Sequence, residues 1–113
     1  MESTRQLKIS KLLQKDLGEI FQRESKGLFR GAMITVTKVH VTPDLSLAKV
    51  YLSLFAIENK DGLLEQIQKH TREVRYKLGQ RIGRQIRVVP ELQFYLDDSL
   101  DYIENIERLL DDE

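Results

Sequence analysis

Residues 32–55 read AMITVTKVHVTPDLSLAKVYLSLF, two runs rich in β-branched residues on either side of the turn-forming stretch TPDLS. Such runs fit a pleated, half-buried surface, and Pro, Asp and Ser between them favour a reversal of the chain, so the stretch predicts two strands. In the second run Val50, Leu52 and Leu54 fall on one face. In the first, Ile34 and Val36 are out of phase with Val39 and Val41. A one-residue change of phase turns every later side chain over, so a bulge is expected near Thr37 and Lys38.

Outward from this pair the spacing of apolar residues changes from two to three and four. Ile9, Leu12, Leu13, Leu17, Ile20 and Phe21 predict a helix from Ser3 to about Glu24, capped by Ser3 or Thr4 and carrying Lys8, Lys11 and Lys15 on its opposite side. Asp16 interrupts its apolar face. Beyond IENKDG, where Asn59 or Asp61 can act as cap, Leu63, Leu64, Ile67, Val74 and Leu78 continue the pattern towards Ile82. His70 and Thr71 fall in the middle as a candidate break. RVVPELQFYL then alternates Leu92, Phe94 and Leu96 as a third strand, whose beginning Pro90 places at an edge or bulge. Leu100, Ile103, Ile106 and Leu110 return to helical spacing over about 98–110, with Asp98 or Ser99 as cap. The order α-β-β-α-(kink)-α-β-α is an α+β arrangement in which helices cover a small three-stranded sheet.

A chain of 113 residues is the size of one domain, able to bury roughly two thirds of the surface its unfolded form exposes. It has no cysteine, which excludes disulfides, thiolate metal sites and cysteine nucleophiles and fits a reducing compartment, so a cytoplasmic protein is expected. No stretch approaches the roughly 20 apolar residues of a membrane span, and a soluble monomer is expected. Net charge is zero, yet the charges are segregated. Between residues 69 and 87, Lys69, Arg72, Arg75, Lys77, Arg81, Arg84 and Arg87 face Glu73 alone, seven bases against one acid and a balance of +6. Between 97 and 113, eight acids (Asp97, Asp98, Asp101, Glu104, Glu107, Asp111, Asp112 and Glu113) face Arg108 alone, a balance of −7.

Material for catalysis is scarce. His40 and His70 are the two histidines, with no HExxH spacing, and no serine sits in a glycine-flanked elbow. A hydrolase using either histidine is therefore a weak reading. Asp97, Asp98 and Asp101 lack the central glycine of a calcium loop and read as a solvated acidic face. No cofactor or metal is implied. The basic block carries more information, because nucleic acid is held chiefly through Lys and Arg contacts to phosphates. The alternative is a solvated helix face; against it stands the shortage of acids, since mixed-sign helices neutralise themselves at three- and four-residue steps. Gly83 reads as a helix C-cap, while Gly79 fits either a close approach of a phosphate backbone or a tolerated defect.

The segments TRQLKISKLLQKDLGEIFQ, ITVTKVHVTPDLSLAKVYLSLF, RYKLGQRI and RVVPELQFYLDDSLDYIENIERLL together resemble bacterial ribosome-binding factor A over nearly the whole chain. The most specific parts are DLSLAKVYLS at 44–53 and VPELQFYLDD at 89–98. The resemblance implies a single KH-like domain of type II spanning 1–113. It also implies a cytoplasmic factor without enzymatic activity that binds the small ribosomal subunit and its RNA in late maturation. The basic surface of Lys8, Lys11, Lys15, Lys69, Arg72, Arg75, Lys77, Arg81, Arg84 and Arg87 would then face ribosomal RNA, with ribosomal proteins as further contacts. KH domains clamp nucleic-acid backbone with a GxxG loop, and this family usually has Ala-x-Gly at the kink. Here His70, Thr71 and Arg72 occupy that stretch. A rival from another class is a protein–protein adaptor working through the acidic C-terminal helix.

Overall fold

The computed structural model describes residues 3–27, 29, 31–55 and 59–97. Helix α1 (Thr4–Glu24) starts at Ser3, whose hydroxyl accepts from the Gln6 amide while the Gln6 side chain accepts from the Ser3 amide, a capping box. Strand β1 (Met33–Val41) pairs antiparallel with β2 (Leu47–Phe55), and β2 pairs parallel with β3 (Glu91–Leu96), giving the order β1-β2-β3. The bulge lies where the phase of the sequence changes, between Val36 and Lys38. β3 begins directly after Pro90, which has no amide to give to a ladder. The fold is thus a small α+β domain of three described helices and a mixed sheet; the predicted helix at about 98–110 lies outside the described residues.

The turn between β1 and β2 is held by one carboxylate. Asp44 accepts from the Thr42 hydroxyl (2.7 Å), the Ser46 hydroxyl (2.8 Å) and the Ser46 amide (3.1 Å). These donors, that of Thr42 first, hold the Asp44 carboxyl below the ordinary aspartate value. The brace carries Leu45 at φ 61°, a left-handed conformation that costs energy for a branched side chain.

Inward-facing residues of all elements meet in one core, with Leu13, Leu17, Val50, Leu52, Ile67, Leu78 and Ile82 among those fully buried. At its centre Phe21 of α1 lies 5.6 Å from the Phe29 ring and 5.7 Å, edge-on, from that of Phe94 in β3. β1 is one open edge of the sheet, and α1 covers part of it. Gln6 Nε2 donates to Val41 O (2.9 Å), and Gln14 Nε2 reaches Val36 O and Thr37 O (both 3.3 Å). Carbonyls that would otherwise offer a template to another strand are thereby occupied.

A cationic groove beside the third strand

The long helical pattern of 59–82 is two helices, α2 (Lys60–Lys69) and α3 (Thr71–Ile82), which meet at His70. Asn59 caps α2 by accepting from the Gly62 amide. The break needs no glycine: His70 sits at φ −98°, ψ 14°, a region open to any residue, with its Nδ1 2.8 Å from Gln66 O and its ring edge-on to Phe29. Thr71 donates to Gln68 O, and Arg72 is inside α3. The sequence left open whether this stretch is kinked or continuous helix; the structure breaks it at His70, without a glycine.

α3 ends at Gly83, as the sequence suggested, with the Gly83 amide donating to Gly79 O at 2.8 Å. A Cβ on Gly83 would lie 2.6 Å from that same oxygen, so glycine is what allows the close approach. The chain then returns beside α3, and Arg75 fixes the return: Nη2 donates to Val89 O (2.7 Å) and Nε to Pro90 O (3.1 Å). Between α3 and this returning segment runs an open groove of about 1040 Å³, reaching from Gln68 and Lys69 to Val88 and Leu92. Lys69, Arg72, Arg75 and Arg87 line it, and Glu91 is the one acid among the described lining residues. Tyr76 and Val88, each 68% exposed, supply apolar surface at its rim. A Cβ on Gly79, in the groove floor, would meet Val89 at an ordinary 3.5 Å, so the groove does not require glycine there.

Geometry divides the ten basic residues singled out in the sequence. Four line the groove, and Arg84 is exposed on the turn after α3. Lys77 and Arg81 face α1 instead: Lys77 pairs with Glu24, and Arg81 pairs with Glu19 while donating from Nε to Asp16 Oδ1 at 3.0 Å. Lys8, Lys11 and Lys15 are exposed on α1, and Lys15 borders a cleft against β1, the strand at the opposite side of the sheet from β3. The structure thus does not gather all ten onto one surface. Sequence reasoning missed Tyr76, although it sits four residues after Arg72 and so shares its side of the helix.

Asp16, which has no place in an apolar stripe, is explained by Arg81. Its side chain is 13% exposed and that of Arg81 is 25% exposed, so the pair is shielded enough to contribute. We expect Asp16→Ala to cost about 1–2 kcal/mol, with Arg81 left to Glu19 alone. A melting curve should show a Tm lower by roughly 5–10 °C. A change within error would mean that α1 and α3 are held by apolar contact only.

These features define a small α+β domain with a charged groove between a helix and an edge strand. Among the described residues no group of three or more histidines, cysteines or carboxylates is placed to hold a metal, and no helix is long and apolar enough to cross a membrane. The family model described as Ribosome-binding factor A matches residues 5–110, and the chain belongs to that family. It is 46% identical over 110 residues to ribosome-binding factor A of Cytophaga hutchinsonii, covering 97% of this chain and 83% of that one. With that of Flavobacterium johnsoniae the identity is 48% over 111 residues, covering 97% and 85%. The crystal structure of ribosome-binding factor A from Thermus thermophilus has the same fold, with TM-score 0.67 at 23% identity over 80% of this chain and 94% of that one. A homology model of the Thermus thermophilus factor, as fitted into a cryo-electron-microscopy map of a 30S complex, matches at TM-score 0.62 and 28% identity over 77% and 89%.

Proposed function

We propose that the chain is an assembly factor that binds the small ribosomal subunit and its RNA during late maturation, in the cytoplasm, as a monomer and without catalysis. The observation that carries this reading is the groove, where four cations meet one acid in a chain of zero net charge. Phosphates entering it would release counterions from RNA, and Tyr76 offers a face on which an unpaired base can stack. The names of the relatives and the 30S complex of the Thermus thermophilus factor support the choice of partner. We read the whole chain as one KH-like domain of type II, in which the helix break at His70 stands where other KH domains have their glycine loop.

All ten basic residues belong to this proposal, in different roles. Lys69, Arg72, Arg75, Arg84 and Arg87 are the direct phosphate contacts. Lys77 and Arg81, occupied by carboxylates of α1, add to the field that steers encounter. Lys8, Lys11 and Lys15, beside the other sheet edge, meet a second stretch of RNA.

The test is sedimentation of the tagged chain from a lysate of its own cells through sucrose gradients at low and moderate salt. Comigration with free small subunits, lost as salt rises, is the expected result. A chain that stays at the top of both gradients would refute the reading.

A further inference from the structure

The cationic groove does not stop at Leu92. Gln68, Thr71 and Leu92, which line it, also line a smaller hollow of about 280 Å³ that continues along β3 past Gln93 and Phe94 to Tyr95. β3 is the edge strand on this side of the sheet. Its side chains alternate, Leu92 and Phe94 towards the core and Gln93 and Tyr95 away from it, so the hollow turns round the edge from the helical side to the outer face.

Tyr95 is the end of an aromatic column. Its register partner on β2 is Tyr51, and the two rings stack with centroids 5.5 Å apart, close to the spacing of neighbouring strands, so the column runs across the sheet. Lys38 Nζ lies 6.0 Å from the Tyr51 centroid, at the β1 end. With Tyr51 against one face of its ring, Tyr95 turns the other face outward past β3, into the hollow. Its hydroxyl donates to Gln93 Oε1 at 2.6 Å, which fixes the orientation of the ring, and 39% of the residue is exposed.

An aromatic face at the end of a cationic channel suits a single nucleic-acid strand, whose phosphates meet the cations and whose unpaired bases stack on the rings. Between Arg72 and Tyr95 the hollow offers the hydroxyl of Thr71 and the amides of Gln68 and Gln93, and no acid among the described residues that line it. Thr71 stands about 7–8 Å along α3 from Tyr76, and Tyr95 about 10 Å along β3 from Leu92, a span for several nucleotides rather than one. We propose that Tyr95 is a second stacking position for RNA: a single strand fills the cationic groove, passes Thr71 and turns over the edge of β3, where an unpaired base extends the Tyr51–Tyr95 column. This inference rests on the proposed function and adds to it a path, a second base contact and the requirement that the RNA be unpaired where it crosses β3.

The chain has no tryptophan, so Tyr95→Trp and Tyr76→Trp each give the full-length protein a single fluorescent reporter. On titration with a single-stranded oligouridylate of about eight nucleotides, both emissions should be quenched, and adding Arg72→Glu with Arg87→Glu should abolish both responses. Tyr95→Leu should weaken binding of the same oligonucleotide about tenfold with the salt slope unchanged, because a base contact is lost and no phosphate contact. Tyr95→Phe, which keeps the ring, should bind like the parent. Quenching at position 76 alone, or parental affinity in Tyr95→Leu, would overturn the proposal and leave the proposed function standing. Quenching at neither position would remove both, and quenching at position 95 that survives the two charge reversals would overturn the route through the groove.

Discussion

Replacing Lys69, Arg72 and Arg87 together by Glu is expected to weaken binding of the small subunit about 100-fold or more near physiological salt, with the melting temperature unchanged. All three are exposed groove residues, so reversing their charge would remove the proposed phosphate contacts and add repulsion without touching the core. Gln at the same positions isolates the loss of contact: the slope of log affinity against log salt should flatten by about 2–3, near one for each phosphate released. Arg81→Glu is the instructive comparison. That change sets a third acid between Asp16 and Glu19, so it should lower the melting temperature before it lowers binding. If the groove triple binds as well as the parent, RNA is held elsewhere, and the lysines of α1 become the next surface to test.

The largest loss of stability is expected from Phe21→Ala. The Phe21 side chain is fully buried and touches Phe29 before β1 and Phe94 in β3, so its removal leaves a cavity where three separate parts of the chain meet. Truncations of this kind cost about 3–5 kcal/mol, a large share of the roughly 5–15 kcal/mol that holds a domain together. Circular dichroism should show a Tm lower by roughly 15 °C or more. Phe21→Leu should recover a good part of it, since most of the volume returns. A loss below about 1 kcal/mol would mean that the cluster closes over the gap.

Periodicity in the sequence was enough for α1 and for both strands of residues 32–55 with their bulge, because each is a local matter of which side chains face inward; it ran on through His70 and left open whether the helix breaks there. The groove was only half legible. Helical spacing puts Arg72 and Tyr76 on one side of α3, but the opposite wall exists because Arg75 grips two carbonyls fourteen and fifteen residues away, and no pattern announces such a contact. A wheel likewise sets Arg81 beside the other cations; only the approach of α1 turns it into a structural ion pair, and Asp16 was the visible clue. The two motifs on which the resemblance chiefly rests have structural reasons too, the first local and the second long-range. DLS places a carboxylate to brace Leu45, and VPEL supplies the carbonyls that Arg75 holds, neither of which hydrophobic patterning encodes.

The glutamines that α1 lends to the edge of β1 have a consequence for the order of synthesis. A nascent chain exposes its strands before their neighbours exist, and an unpaired edge is then open to every other unfinished chain nearby. Here the shield is translated first: Gln6 and Gln14 leave the exit tunnel some 22 to 35 residues ahead of the carbonyls they cover. By the time Val36 and Val41 emerge, the helix that will close them off is already waiting outside.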